Sequence, residues 1–404
     1  MWRIKINMIT SIQLKNFKCF RDSGSIDFSR ITLLTGANGT GKSTVMQSLL
    51  LLAQSVKEKV DSEGLRFNGD YVWLGNYQDI VNAHSTKKGI DICIHSESNN
   101  VKHVFDSSYD ANPLDEVARF TKLTEDDHNY IQEVTESGFY TSDGQQLYDN
   151  QGKALKVKGD FNNDFSNDFN VEPIKDLATF SEVKNIYYLK ADRHGPRETE
   201  KIQSRGSNTD VGTRGEFVFN VLHAQGINFQ ESVKQALSFI MGGANMDLKQ
   251  DDMGFHLYMD SVNGKEAYKQ VNVGFAYSYV LPIIVAALLS KPKGKIFIEN
   301  PEAHLHPRAQ SQLMSFLYKQ AKIKDIQIII ETHSDHILHS CLVGLAEKKL
   351  SIKDLSIYYF SREEKDVKNT KATKILCTEN GRIKNAPAGF FDQMDLDLDK
   401  LLEY

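Results

Sequence analysis

Four cysteines in 404 residues, Cys19, Cys93, Cys341 and Cys377, stand far apart and form no Cys-x-x-Cys, so a zinc hook or redox pair is unsupported. No apolar run reaches the ~18 residues that a membrane helix needs. The longest candidates, Val280 to Leu289 and Leu49 to Ala53, are too short. Met1 to Asn7 lacks the apolar core of a signal peptide, so a cytoplasmic location without membrane contact is expected. No heptad pattern is sustained, which predicts no coiled-coil arm. Proline is scarce, 8 residues against 26 glycines, and with 40% apolar residues the chain reads as globular. An excess of one charge is also missing. The net charge of −5 gives nucleic acid no general attraction, so DNA binding would need a local basic patch.

What is present centres on Gly36-Ala37-Asn38-Gly39-Thr40-Gly41-Lys42-Ser43-Thr44. It fills every position of the phosphate-loop pattern, Gly, four residues, Gly-Lys-Ser/Thr. The glycines let several backbone N–H groups converge on one anion. Lys42 adds a point charge for the β- and γ-phosphates, and the Ser43 hydroxyl is placed to ligate Mg²⁺. Ser29 to Leu34 reads as a buried strand before the loop. Val45 to Val56 reads as a helix after it, with its N-terminus toward the phosphates.

Strands are expected at Ile9 to Lys15, Ser25 to Phe28, Leu65 to Leu74 and Gly89 to His95, forming an antiparallel layer. From about Asp106 to Thr179 polar residues dominate, as in the Asp/Asn-rich run 160–169. This reads as a variable insertion, with short helices expected at Leu114 to Leu123 and His128 to Val134. Asn185 to Leu189 is again a buried strand. Lys184 to Arg214 has seven Lys/Arg against four Asp/Glu, a mild basic excess. Arg193 and Arg197 within it could act on phosphates in trans, but surface charge is the preferred reading.

Tyr279 to Leu289 is a strongly apolar helix for which Ser278 suits an N-cap, with Pro282 tolerable only near its first turn. In Lys295-Ile296-Phe297-Ile298-Glu299-Asn300-Pro301-Glu302 an apolar strand ends in an acid, where phosphate-loop enzymes hold Mg²⁺. A helix is expected at Arg308 to Ala321. Ile326 to Ile330 is a further strand, ending in Glu331-Thr332-His333-Ser334. His304, His306, His333, His336 and His339 cluster here. Their spacing fits no standard zinc set, so phosphate contact is favoured over a transition metal. The tail alternates like a hairpin at Ser356 to Phe360 and Thr373 to Cys377, and ends in an acidic amphipathic segment.

Ile12 to Phe20, the phosphate loop, Glu299 to Pro307 and Glu331 to Ser334 together resemble the ATP-binding-cassette-type ATPases that work on DNA and in defence. These are the SMC-like, RecF-like and especially OLD-like (overcoming lysogenisation defect) proteins. The tail at Gly389-Phe390-Phe391-Asp392 is similar to a subgroup with a small C-terminal domain and no Toprim nuclease. The resemblance implies an α/β fold, an ABC-type P-loop ATPase with a mixed central sheet, an antiparallel β-layer and a variable insertion. The expected segments are 1–105, 106–180, 181–350 and 351–404: two ATPase halves around the insertion, then a C-terminal hairpin with a capping segment.

By position, the resemblance implies that Asn38, Gly39, Thr40, Gly41, Lys42, Ser43 and Thr44 bind ATP. Ser43 and Glu299 would serve Mg²⁺, and His333 would contact the γ-phosphate. Ser278 would be the signature serine reaching the partner subunit's nucleotide, and Gln78 a water-sensing glutamine. The usual catalytic Glu position holds Asn300, which cannot accept a proton. Either Glu302 substitutes or hydrolysis is slow; a general base is typically worth ~10²–10⁴-fold. A homodimer sandwiching ATP and acting on a separate effector, a nuclease or toxin, is the expected function in anti-phage defence. A DNA-binding repair ATPase and a nucleotide-locked scaffold are the alternatives.

Overall fold

A computed structural model of the chain describes residues 8–57, 64–98, 101–126, 128–131, 134–135, 138–140, 146–148, 186–203, 209–260, 267–362 and 370–403. The Asp/Asn-rich run at 160–169 and residues 1–7 lie outside these. In chain order the first strands are β1 (Met8–Phe17), β2 (Phe20–Asp22), β3 (Ile26–Asp27), β4 (Ile31–Gly36), β5 (Gly64–Arg66), β6 (Ile90–Ser98), β7 (Val101–Asp110) and β8 (Val117–Glu125). Then come β9 (His128–Ile131), β10 (Val134–Thr135), β11 (Gly138–Tyr140), β12 (Gln146–Tyr148), β13 (Ile186–Leu189), β14 (Asn245–Asp251), β15 (Gly254–Asp260) and β16 (Ala267–Lys269). The last are β17 (Lys295–Glu299), β18 (Gln327–Glu331), β19 (Leu355–Arg362) and β20 (Thr370–Ile375). The helices are α1 (Lys42–Lys57), α2 (Tyr77–Ile80), α3 (Val218–Gln225), α4 (Ile227–Met241), α5 (Phe275–Leu289), α6 (Pro307–Lys324), α7 (Asp335–Ala346) and α8 (Gln393–Leu402).

Two compact units interleave along the chain and cut across the consecutive segments expected from sequence. One comprises Met1–Asp27, Ser43–Asn185 and Ser361–Ala372; the other comprises Phe28–Lys42, Ile186–Phe360 and Thr373–Tyr404.

The first unit carries an antiparallel sheet in the order β2-β1-β6-β7-β8-β5, with β3 on β1 and β9 on β8. In β1 and β6 the fully buried pairs Ile12↔Ile94 and Leu14↔Ile92 alternate with the polar pair Gln13↔Cys93. That is the period of a sheet with one covered face. The Asn16 to Phe20 motif is the β1–β2 turn. Asn16 and Lys18 take positive φ, and Asn16 Nδ2 donates to the carbonyls of Lys87 (2.9 Å) and Gly89 (2.5 Å). Lys18 Nζ donates to Gln47 Oε1 of α1 at 2.7 Å.

Two expectations are corrected here. The segments read as short helices form β8 and β9. Ala118 and Phe120 are buried while Arg119 is exposed, an alternation of two that only a strand satisfies. The Leu65 to Leu74 strand stops at Arg66. Beyond it the Asn68 side chain accepts from the N–H groups of Leu74 (3.0 Å) and Gly75 (2.9 Å), closing a tight turn.

The second unit is built on the sheet β13-β17-β18-β4-β19-β20. The pairs β13–β17, β17–β18, β18–β4 and β4–β19 are all parallel. Ile296, Phe297, Ile298, Ile328, Ile329 and Ile330 are wholly buried, as continuous apolar strands covered on both faces should be. A separate three-stranded sheet, β14-β15-β16, lies in the same unit. The parallel arrangement brings the C-terminal ends of β4, β17 and β18 to one edge, where open α/β sheets bind ligands. The C-terminal hairpin is part of this sheet, since β19 pairs with β4 from Leu355↔Ile31 to Phe360↔Gly36. Gly36 has φ 130°, and a Cβ there would lie 2.2 Å from the Phe360 carbonyl oxygen, so no other residue fits.

Candidate functional site

The phosphate loop runs from the end of β4 to Lys42, the first residue of α1. Lys42 is almost wholly buried and folded onto its own loop. Its ammonium donates to the carbonyls of Gly36 (3.0 Å) and Ala37 (2.8 Å) and stands 3.8 Å from Glu331 Oε1. Burial lowers its pKa and Glu331 opposes the shift. Thr40 Oγ1 donates to the Ala37 carbonyl at 2.7 Å. The N–H groups of Asn38, Gly39 and Gly41 make no hydrogen bond among the described residues. Uncommitted N–H donors beside a buried ammonium form an anion cradle, so a triphosphate fits this donor set. Ser43 and Thr44 follow Lys42 in the first turn of α1.

Glu299 and Glu331 end neighbouring parallel strands and are register partners, so both side chains leave the same face. Glu299 Oε1 accepts from the Tyr188 hydroxyl at 2.7 Å and Oε2 from the Ala191 N–H at 3.1 Å. Burial, then the Glu299 charge, pushes the Tyr188 phenol far above its usual range, so it is a permanent donor. Glu331 is the functional candidate that sequence reading passed over. Its signals were an acid closing an apolar strand, as at Glu299, and its place at the head of the Glu331 to Ser334 motif.

Asn300 has φ 44°, a left-handed conformation that Asn tolerates better than Glu. Its N–H donates to the Glu331 carbonyl at 2.9 Å, and its Oδ1 is buried without a hydrogen-bond partner. After Pro301, both oxygens of Glu302 are engaged. Oε2 accepts from Thr332 Oγ1 (2.9 Å) and Oε1 from the His333 N–H (2.8 Å). The His333 side chain is exposed, yet desolvation by its surroundings, and then the Lys42 charge, lower its pKa. Its imidazole is therefore held toward the neutral form.

Arg193 departs from the surface-charge reading. It is 2% exposed. It donates to the carbonyls of Lys190 (2.8 Å), Glu299 (2.7 Å) and Asn300 (2.7 Å), with its guanidinium 5.2 Å from the Tyr279 ring centroid. Burial pushes its pKa down to about 10, which leaves it charged at neutral pH. Arg197 donates to the carbonyls of Glu216 (2.9 Å) and Gly215 (2.5 Å) and pairs with Glu200 at 3.3 Å. Arg214 pairs with Asp192 at 2.6 Å. These arginines of the mildly basic stretch are engaged within the protein.

Ser278 is not an N-cap. Helix α5 starts four residues before the expected position, capped by Gly274. Ser278 is its fourth residue, 5% exposed, with a hydroxyl that has no partner. Pro282 therefore lies inside the helix. Lacking an N–H, it leaves the Ser278 carbonyl without its helical donor. Gly215 approaches closely on that side; a Cβ there would meet Pro282 Cγ at 2.5 Å. Gln78 sits, exposed, in the one-turn helix α2 of the other unit.

The histidines divide by role. His306 caps α6, accepting from the Arg308 N–H, and the His304 ring packs on Phe275 and Tyr279. Among the described residues no group of three His, Cys, Asp or Glu is disposed to hold a metal ion. Nor is any helix there long and apolar enough to cross a membrane.

A family model described as "AAA domain, putative AbiEii toxin, Type IV TA system" matches residues 31–339. A second, "Protein of unknown function (DUF3696)", matches residues 350–401. The chain is 24% identical over 348 residues to the OLD nuclease of Thermus scotoductus, covering 81% of this chain and 59% of that protein. It therefore spans less than two thirds of that relative. The DNA replication and repair protein RecF of Clostridioides difficile is 30% identical over 94 residues, 21% of this chain and 25% of that protein. Among solved structures, an SmcHead bound to the C-winged helix domain of ScpA matches with a TM-score of 0.50 at 14% identity, covering 91% of this chain and 97% of that one. An Smc head domain with an extended coiled coil, bound to the C-terminal domain of ScpA from Pyrococcus furiosus, gives 0.50 at 11% identity, covering 98% and 100%. At such identities the likeness shows the fold alone, that of SMC-head, ABC-type P-loop domains.

Proposed function

The chain belongs to the AAA-domain family matched over residues 31–339 and is an ABC/SMC-type ATPase related to OLD, and from that premise we propose that it is a dimeric, ATP-dependent switch for a separate effector, a nuclease or toxin, in cytoplasmic anti-phage defence. The observation that carries this is Lys42, an ammonium stored on the Gly36 and Ala37 carbonyls beside uncommitted loop N–H groups. Such a cation can exchange two neutral acceptors for the phosphates of ATP.

In this reading residues Asn38 to Thr44 cradle the triphosphate. Ser43 and Glu299 hold Mg²⁺, which neutralises phosphate charge when bound. His333 donates or accepts at the γ-phosphate, and Glu302 holds the His333 backbone in place. Asn300 can orient water but cannot remove its proton, so turnover is slow and ATP binding itself does most of the switching. The partner subunit is met by the exposed start of α5, at Gly274 and Phe275, since Ser278 is buried.

Three of the seven basic residues behind the DNA-binding alternative, Arg193, Arg197 and Arg214, are engaged with other groups of the protein, which weighs against it. The test is ATP binding, turnover and oligomeric state measured together for the wild type and Lys42→Ala. ATP-dependent dimerisation that Lys42→Ala abolishes supports the switch. A wild type that binds no ATP, or binds it with no change in assembly, overturns it.

A further inference from the structure

Four Asn–Gly pairs occur in the sequence: Asn38–Gly39, Asn68–Gly69, Asn263–Gly264 and Asn380–Gly381. In such a pair the glycine's backbone nitrogen can attack the asparagine side-chain amide carbon, because glycine has no Cβ to hinder the approach. A new C–N bond closes a cyclic succinimide, the bond to the amide nitrogen breaks, and ammonia leaves with the proton lost from the backbone nitrogen. Water then opens the ring at either carbonyl, giving aspartate or isoaspartate. One water enters, one ammonia departs, and nothing is oxidised or reduced. The step requires a side-chain amide free to turn and a glycine N–H that is not committed.

The described pairs differ in both respects. At Asn68 the amide donates to the Gly75 carbonyl (2.9 Å) and accepts from two N–H groups, while the Gly69 N–H donates to the Val72 carbonyl (2.9 Å). At Asn380 the side-chain oxygen is bonded by Thr378 Oγ1, and the Gly381 N–H donates to the Thr378 carbonyl (3.0 Å). Asn263 and Gly264 lie outside the described residues. At Asn38 nothing is held. The residue is exposed, and neither its side chain nor the Gly39 N–H makes a hydrogen bond among the described residues. No heavy atom lies within 4 Å of the Cβ position at Gly39.

We infer that Asn38 is a self-modification site at which the empty phosphate loop deamidates. The product carboxylate stands among the groups proposed to bind phosphate, so modified protein loses nucleotide affinity. A bound triphosphate would occupy the Gly39 N–H and block the attack. The loop thereby records the time that it spends empty. This protection rests on the ATP-binding reading; the ranking of the Asn–Gly pairs does not.

The test is a time course of the purified full chain at mildly alkaline pH, with and without ATP and Mg²⁺, followed by peptide mapping for the mass change of amide to acid. Asn38 is expected to convert faster than Asn68 and Asn380, and to be slowed by ATP and Mg²⁺ while the other two are not. Asn38→Gln, whose longer side chain closes a less favourable ring, should stop conversion at this position. Asn38→Asp, which carries the carboxylate of one of the two products, should weaken ATP binding by on the order of tenfold or more through like-charge repulsion. Conversion at Asn38 no faster than at Asn68 and Asn380 would overturn the inference. Fast conversion that ATP and Mg²⁺ leave unchanged supports the modification site and counts against the ATP-binding reading.

Discussion

Glu302 grips the strand end that carries His333: its two oxygens accept from Thr332 Oγ1 at 2.9 Å and from the His333 N–H at 2.8 Å. An acid so bonded is a brace in this state of the protein, not a free base. Glu302→Gln turns one acceptor into a donor that faces another donor, which costs about 1–3 kcal/mol. We expect thermal stability to fall by that amount and turnover to fall with it, while ATP affinity changes little. Lost turnover at unchanged stability would instead assign Glu302 the proton-accepting role.

Arg193 joins the β17 end to α5 through the carbonyls of Glu299 and Asn300 and the Tyr279 ring. Arg193→Ala removes three hydrogen bonds to carbonyls, each worth about 1 kcal/mol. A loss of about 3 kcal/mol is expected in denaturant unfolding. Arg193→Lys should not restore it, because an ammonium cannot span three carbonyls as the planar fork does. Full rescue by lysine would refute this account.

His333 has a lowered folded pKa, so its sign in stability is set. Between that value and the unfolded value near 6.5, the unfolded chain binds more protons. This contribution to stability therefore rises with pH through the window and is lost as pH falls. By NMR titration, His333 should protonate below the usual histidine range. Lys42→Met should raise its pKa part of the way back, since desolvation is the larger cause and Lys42 the smaller. An unchanged His333 pKa in Lys42→Met would separate the two residues.

Lys42 is also the counter-charge of Glu331. Lys42→Met removes a cation that stands 3.8 Å from this largely buried carboxylate, so stability should drop. ATP affinity should fall on the order of tenfold to hundredfold through lost charge-assisted bonds. The double variant Lys42→Met, Glu331→Gln should recover stability but not ATP binding, as read by calorimetry and nucleotide titration. Recovery of both would remove Lys42 from the binding site.

The sequence by itself determined what is local or strictly periodic. The phosphate loop, the apolar strands that became β4, β17 and β18, and helix α6 are written in adjacent residues, because backbone conformation there follows from glycine spacing, burial and capping. Tertiary structure alone decided which side chains are committed. Arg193 and Arg197 look alike in a basic stretch, yet carbonyls from β17 and its following turn claim Arg193, while Gly215 and Glu216 claim Arg197. Glu299 and Glu331 lie far apart in sequence and become register partners only through parallel pairing. Ser278 has the chemistry of a cap, but α5 begins at Phe275 and buries the hydroxyl without a hydrogen-bond partner. Three of the Asn–Gly pairs are the same dipeptide at described positions, and only the hydrogen bonds around them distinguish Asn38. The arginine and glutamate outcomes rest on contacts between residues remote in the chain, whose free energy no local window contains, whereas the Asn–Gly pairs differ through turn bonds within seven residues.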